Sequence, residues 1–188
     1  MVGRSRCVLK NEACFATLLP DFILRRAVGN RQAIKSFNSQ ERNMGAEQNA
    51  LDLGLTFPKQ EPGYLNLCAK SGNLLFSSGH TSDMKGKLGA DLSVDQGYEA
   101  AKDCAEKILR SVHNVHGTLD GLRVIKLLGC VNSTLEFTEH HLVINGASDL
   151  LHKIFGKEGD GYHARSALGF ASLPTGPAVE VEAIFEIN

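Results

Sequence analysis

The chain has 188 residues, a formal net charge of -1, 43% hydrophobic and 6% aromatic residues, which is the make-up of an ordinary globular protein with one main domain. No apolar run approaches the roughly 18 residues of a membrane span, so no membrane partner is expected. Five scattered cysteines (Cys7, Cys14, Cys68, Cys104 and Cys130) are odd in number and lack CxxC spacing, which argues against a secreted disulfide scaffold or a zinc motif and for a reducing compartment.

Charge is unevenly spread. Residues 1–45 hold eight Lys/Arg and three acids. Removing these from 20 basic and 21 acidic residues leaves 12 and 18 for residues 46–188, a net charge of -6. An acidic domain offers phosphates few partners, so no nucleic acid is expected. The basic, acid-poor start resembles an organelle transit peptide, which implies a mitochondrial or plastid location; without it the expectation is cytoplasmic. Met44 offers a second initiation point.

In chain order, the domain proper is read from near Leu51. Residues 65–69 and 74–78 read as strands around the turn Ser71-Gly72-Asn73. Ser93, with Gln96 three residues on, forms a capping box. Val94, Tyr98, Ala101, Ala105, Ile108, Val112 and Val115 then follow at spacings of 3 and 4, which gives an amphipathic helix stopped by Gly117. Residues 124–132 read as a buried strand. Residues 146–155 read as a second helix, with Leu150, Leu151, Ile154 and Phe155 inward. Residues 165–173 and 179–187 read as two closing strands joined by Leu-Pro-Thr-Gly-Pro and expected to pair. Alternation puts Val179, Val181, Ala183, Phe185 and Ile187 on one face and Glu180, Glu182 and Glu186 on the other. The order ββαβαββ predicts an α+β domain with helices on one face of a sheet. Self-association through the other face is the simplest way to bury it.

Arg165 is the residue that asks for an explanation, because it opens an apolar strand. Its guanidinium is a planar fork for a carboxylate and stays charged at working pH. The ordinary account is an ion pair with Glu180 or Glu182 on the neighbouring strand; the sharper one is a clamp for a small anionic substrate. Glu180 could serve as a general base or orient a water, and Tyr64 could close a pocket; a paired strand glutamate and ordinary turn packing are the plainer readings. His113 with His116, and His140 with His141, lack a third ligand at metal spacing. Cys104 and Cys130 read as small core residues. No phosphate-cradling glycine loop or nucleophile elbow occurs.

Gly-Asn-Leu-Leu-Phe-Ser-Ser-Gly-His, Ala-Arg-Ser-Ala-Leu-Gly-Phe-Ala-Ser-Leu-Pro and Val-Glu-Val-Glu-Ala-Ile-Phe-Glu-Ile together resemble the Rid family (RidA/YjgF, also called endoribonuclease L-PSP) over roughly residues 52–188. The resemblance implies a chorismate-mutase-like fold and a homotrimer with a barrel-like core and sites between subunits. It also implies cofactor-free hydrolysis of reactive 2-imino acids to 2-oxo acids and ammonia. By the same resemblance Arg165 binds the substrate carboxylate and Glu180, 15 positions later, places the water. Ser78, Gly79, Ala167 and Asn145 then lie by the substrate, with Tyr64 at the Gly-Pro-Tyr position, written here Pro-Gly-Tyr. No cofactor or metal is expected. Two other functions are compatible with the sequence: a non-catalytic trimer binding small carboxylates or a protein partner, and, more weakly, a ribonuclease or translation inhibitor.

Overall fold

The computed structural model describes residues 45–61 and 63–188, so the transit-peptide reading of residues 1–45 falls, apart from Gly45, outside the described residues. Helix α1 (Ala46–Asp52) comes first, ahead of the expected start at Leu51. The Glu47 carboxylate anchors it, accepting from Leu119 N at 2.7 Å and lying 2.9 Å from His113 Nε2. His113 also stacks on Phe57, so it is a packing residue.

Strands β1 (Cys68–Ser71) and β2 (Leu74–Ser77) form the expected hairpin, with β1 starting three residues later than predicted and running through Ser71. It turns at Gly72, whose φ of +61° favours a residue without a Cβ. The two-residue strand β3 (His80–Thr81) follows. Helix α2 (Val94–His116) begins with the expected capping box: Ser93 Oγ accepts from Gln96 N, and Gln96 Oε1 accepts from Ser93 N. Gly117 ends it in the left-handed region. Its buried face is broader than the predicted stripe because α2 packs on both the sheet and helix α3 (His140–Phe155). The two helices meet closely at Gly146, where a Cβ would lie 1.9 Å from the Tyr98 carbonyl oxygen. Helix α3 starts six residues earlier than predicted, taking His140 and His141 out of the loop.

Strand β4 (Leu122–Asn132), strand β5 (Ala164–Phe170) and strand β6 (Val179–Ile187) complete a sheet of order β1-β2-β6-β4-β5, with β3 also on β6. The expected pairing of the last two strands is wrong. Strand β4 lies between them, parallel to β5 and antiparallel to β6. The reason is helix α3: a strand–helix–strand crossover returns the chain parallel to the strand it left, beside it. With that pairing goes the suggested ion pair of Arg165 with Glu180 or Glu182.

Both helices cover one face. There Leu75, Leu127, Val179, Val181, Ala183 and Phe185 are buried, as the alternation in β6 predicts. The other face, carrying Glu180, Glu182, Leu128, Cys130 and Leu168, is open in the single chain. Two histidines pin strand starts to helices by the same device. His80 Nδ1 meets Ser78 O at 2.8 Å while its Nε2 meets Ser111 Oγ of α2 at 2.7 Å. His163, just before β5, meets Gly161 O at 2.6 Å and Ser148 Oγ of α3 at 3.0 Å.

Candidate active site

Arg165 lies opposite Leu127 in the parallel β4–β5 register. Leu127 is fully buried beneath the helices, so Arg165 shares the covered face, but at the outer edge of the sheet. Helix α3 receives it there. Nη1 donates to Asn145 Oδ1 at 2.9 Å and to Ser148 Oγ at 3.0 Å, and Nη2 donates to the His141 carbonyl at 3.3 Å. A guanidinium has five N–H groups; three are used, leaving Nε–H and one Nη2–H without a partner among the described residues. None of the ion pairs among the described residues includes Arg165. Burial lowers its pKa, with the Asp149 charge opposing, yet an arginine keeps its charge. The result is a half-buried cation, fixed by neutral acceptors, with a fork to spare.

The sequence places Asn145 over the arginine through a glycine. A Cβ at Gly129 would fall 2.4 Å from Ile144 Cδ1; its absence lets Ile144 seat directly on β4, which fixes Asn145 beside it. Ala167 lies across from Gly129 on the same face as Arg165. Arg165, Asn145 and Ala167 are therefore brought together.

Glu180 forms a second group. It is the register partner of Cys130 on one side and Thr81 on the other. Its carboxylate folds over Gly79, where a Cβ would be 2.0 Å from Oε1. Burial, then Glu180 and Glu182, push the Cys130 thiol up to about 11, so this cysteine is a weak nucleophile at neutral pH. Burial raises Cys104 further still.

The two groups do not meet within one chain. Their β4 partners, Leu127 and Cys130, are three residues apart. Side chains alternate along a strand, so the partners, and with them Arg165 and Glu180, face opposite sides of the sheet. Ser78 ties the preceding loop down, with Oγ donating to Asn66 O and N donating to Leu67 O. Tyr64 is fully solvent-exposed, at 102%, and reaches neither group. No metal-binding cluster of His, Cys, Asp and Glu exists among the described residues. Sequence reasoning missed Ser148, His163 and the His141 carbonyl. Only the strand-start position of His163, two residues before Arg165, hinted at them.

A model of the family described as endoribonuclease L-PSP matches residues 57–187 of the chain. The chain belongs to the endoribonuclease L-PSP (Rid) family. Protein TCP17 of Trypanosoma cruzi is 49% identical over 106 residues, 56% of this chain. The match spans 66% of TCP17, just under two thirds of that protein. The crystal structure of protein Atu1372, of unknown function, from Agrobacterium tumefaciens is 42% identical, with a TM-score of 0.68 over 76% of this chain and 93% of that one. A Shewanella oneidensis MR-1 structure is 26% identical, with a TM-score of 0.70 over 77% of this chain and all of the other. The α+β fold with its mixed sheet and helices on one face is thus that of the L-PSP family.

Proposed function

We propose that this L-PSP family member binds small 2-imino and 2-oxo acids through Arg165 and hydrolyses the imines to 2-oxo acids and ammonia. The observation that carries the reading is the free fork: Arg165 is held by Asn145, Ser148 and His141, with two donors left over and no ion pair among the described residues. A carboxylate accepts from such a fork in bidentate fashion. The imine carbon beside that carboxylate is already electrophilic, so positioning and one oriented water suffice. Water adds to the C=N carbon, the carbinolamine expels ammonia, and a carboxylate such as Glu180 takes and returns the proton.

The separation of Arg165 from Glu180 supports an assembly. Each chain carries an arginine half-site at the α3–β5 edge and a carboxylate half-site on the open face. A contact between two different surfaces is head-to-tail and forms a ring where its rotation closes; a homotrimer would satisfy it with three sites between subunits. The open face also exposes Phe76, Leu168 and Phe170, at 39%, 48% and 39%, an apolar surface suited to burial against a second copy.

The test generates 2-iminobutanoate in place with an amino-acid oxidase and traps what survives with semicarbazide. Wild type is expected to deplete the imine and Arg165→Ala to leave it. Carboxylate binding by a confirmed trimer without turnover would instead favour a binding module.

A further inference from the structure

The side chains behind Arg165 form a directional chain of hydrogen bonds that the hydrolysis scheme leaves unused. His163 Nδ1 lies 2.6 Å from Gly161 O, and a carbonyl only accepts, so Nδ1 carries the ring proton. While the ring is neutral, Nε2 is an acceptor, and Ser148 Oγ–H, 3.0 Å away, donates to it. This turns the Ser148 lone pairs toward Arg165 Nη1–H at 3.0 Å. With His163 neutral, every donor in this chain meets an acceptor, the serine hydroxyl included.

Protonating His163 changes the chain. Nε2 becomes a donor, the serine O–H rotates off it while Oγ accepts from both neighbours, and a second cation stands one serine from the guanidinium. The groups facing His163 come from several elements. Strand β5, which follows it, supplies Arg165. Helix α3 supplies Ser148, Asp149 and His152, whose ring centroid is 5.1 Å from that of His163. The turn after α3 supplies Lys157, which acts on His152. Helix α2 contributes Tyr98, which donates to Asp149. Burial, His152 and Arg165 lower the His163 pKa, against the Gly161 hydrogen bond that raises it.

Resting on the carboxylate role of Arg165, we propose that His163 and Ser148 are positioning residues for that arginine, and that His163 takes up a proton when a small carboxylate docks on it. A bound carboxylate offsets the guanidinium charge, which adds to burial and His152 in disfavouring a proton on His163. Coupling between two binding events is reciprocal, so the proton and the carboxylate each favour the other. Affinity therefore rises as the pH falls through the titration of His163, and the neutral form aims the empty fork.

The probe is 2-oxobutanoate, titrated calorimetrically into the full chain between pH 7.5 and 5.5, in pairs of buffers with different ionisation heats. Wild type is expected to bind with net proton uptake that grows as the pH falls from 7.5. Binding is expected to tighten about tenfold between pH 7.5 and 5.5. His163→Gln keeps a neutral acceptor that cannot titrate. It is expected to bind at pH 7.5 within about threefold of wild type, with a flat pH profile and no proton uptake. His163→Phe removes the acceptor and is expected to weaken binding at pH 7.5 by roughly tenfold; should it not fold, the Gln variant decides alone. His152→Gln is expected to retain the uptake. Proton uptake that persists in His163→Gln overturns the inference. So does a pH-independent affinity in wild type that Arg165→Ala abolishes, and that result leaves the carboxylate reading standing. A folded wild type that binds no 2-oxo acid overturns the reading of Arg165, and this inference with it.

Discussion

Arg165 gives three of its N–H groups to neutral acceptors and keeps a fork, which makes its exact chemistry testable at a single atom group. Lysine at 165 would keep the charge but present a point cation with no planar pair of donors. We expect Arg165→Lys to raise KM for 2-iminobutanoate by about 10- to 100-fold, the worth of a charge-assisted hydrogen bond. A KM equal to that of wild type in the oxidase-coupled assay would remove the clamp from the scheme. Gly79 makes the matching case at the carboxylate. A Cβ there would sit 2.0 Å from Glu180 Oε1, so Gly79→Ala has to displace the carboxylate. We expect kcat to fall about tenfold or more, as for a misplaced general base, while the melting temperature stays near that of wild type; full kcat in a folded variant would deny Glu180 its role. Much of this site was legible beforehand. Arg165 stands out because a charge opens an apolar strand, and Glu180 because alternation turns it away from the core. Ser148 and His163 were not, because a serine inside a helix and a histidine before a strand are common residues whose roles depend on a meeting 15 residues apart.

At the scale of elements, the two histidine–serine ties fasten β3 to α2 and β5 to α3, and in both burial disfavours the protonated ring. Burial is the leading cause that lowers the pKa of His80 and of His163 below the ordinary 6.5. In the unfolded chain each ring protonates near its ordinary value, so between that pH and the lower native pKa the unfolded state binds more protons. Stability is therefore highest above about 6.5 and is lost as the pH falls through the native values. The expected result is a lower urea midpoint at pH 5.5 than at 7.5, with the difference reduced in His80→Gln and His163→Gln. Equal pH sensitivity in the variants and wild type would assign the acid lability elsewhere. Helix α2, with its capping box and glycine stop, was fully legible, since those signals lie within a few residues of sequence. The partner of β5 was not. A Pro/Gly turn between two strands suggests a hairpin, and the overriding signal is α3, which turns β4 and β5 into a parallel crossover pair. Reading the helix before the turn would have given the right order.

For the whole molecule, the decisive fact is that one chain holds the arginine and the carboxylate on opposite faces of its sheet. If sites form between copies, Arg165→Ala and Glu180→Ala each inactivate a different side of the same interface. Refolding the two variants together at equal amounts should restore roughly a quarter of wild-type activity, because a site is whole when an intact arginine happens to face an intact carboxylate around the ring. Strict inactivity of a mixture shown by light scattering to be oligomeric would mean that no site pairs an arginine of one chain with a carboxylate of another. The close crossing of α2 and α3 at Gly146 bears on the history of such a protein. A methyl group there would overlap the Tyr98 carbonyl at 1.9 Å, and the helices could accept it only by moving apart, carrying Asn145 off the arginine. In a library of random variants selected for function, position 146 should then be as intolerant as the site itself, although it touches no ligand. The freedom of this lineage to drift is limited at that point by a hydrogen atom.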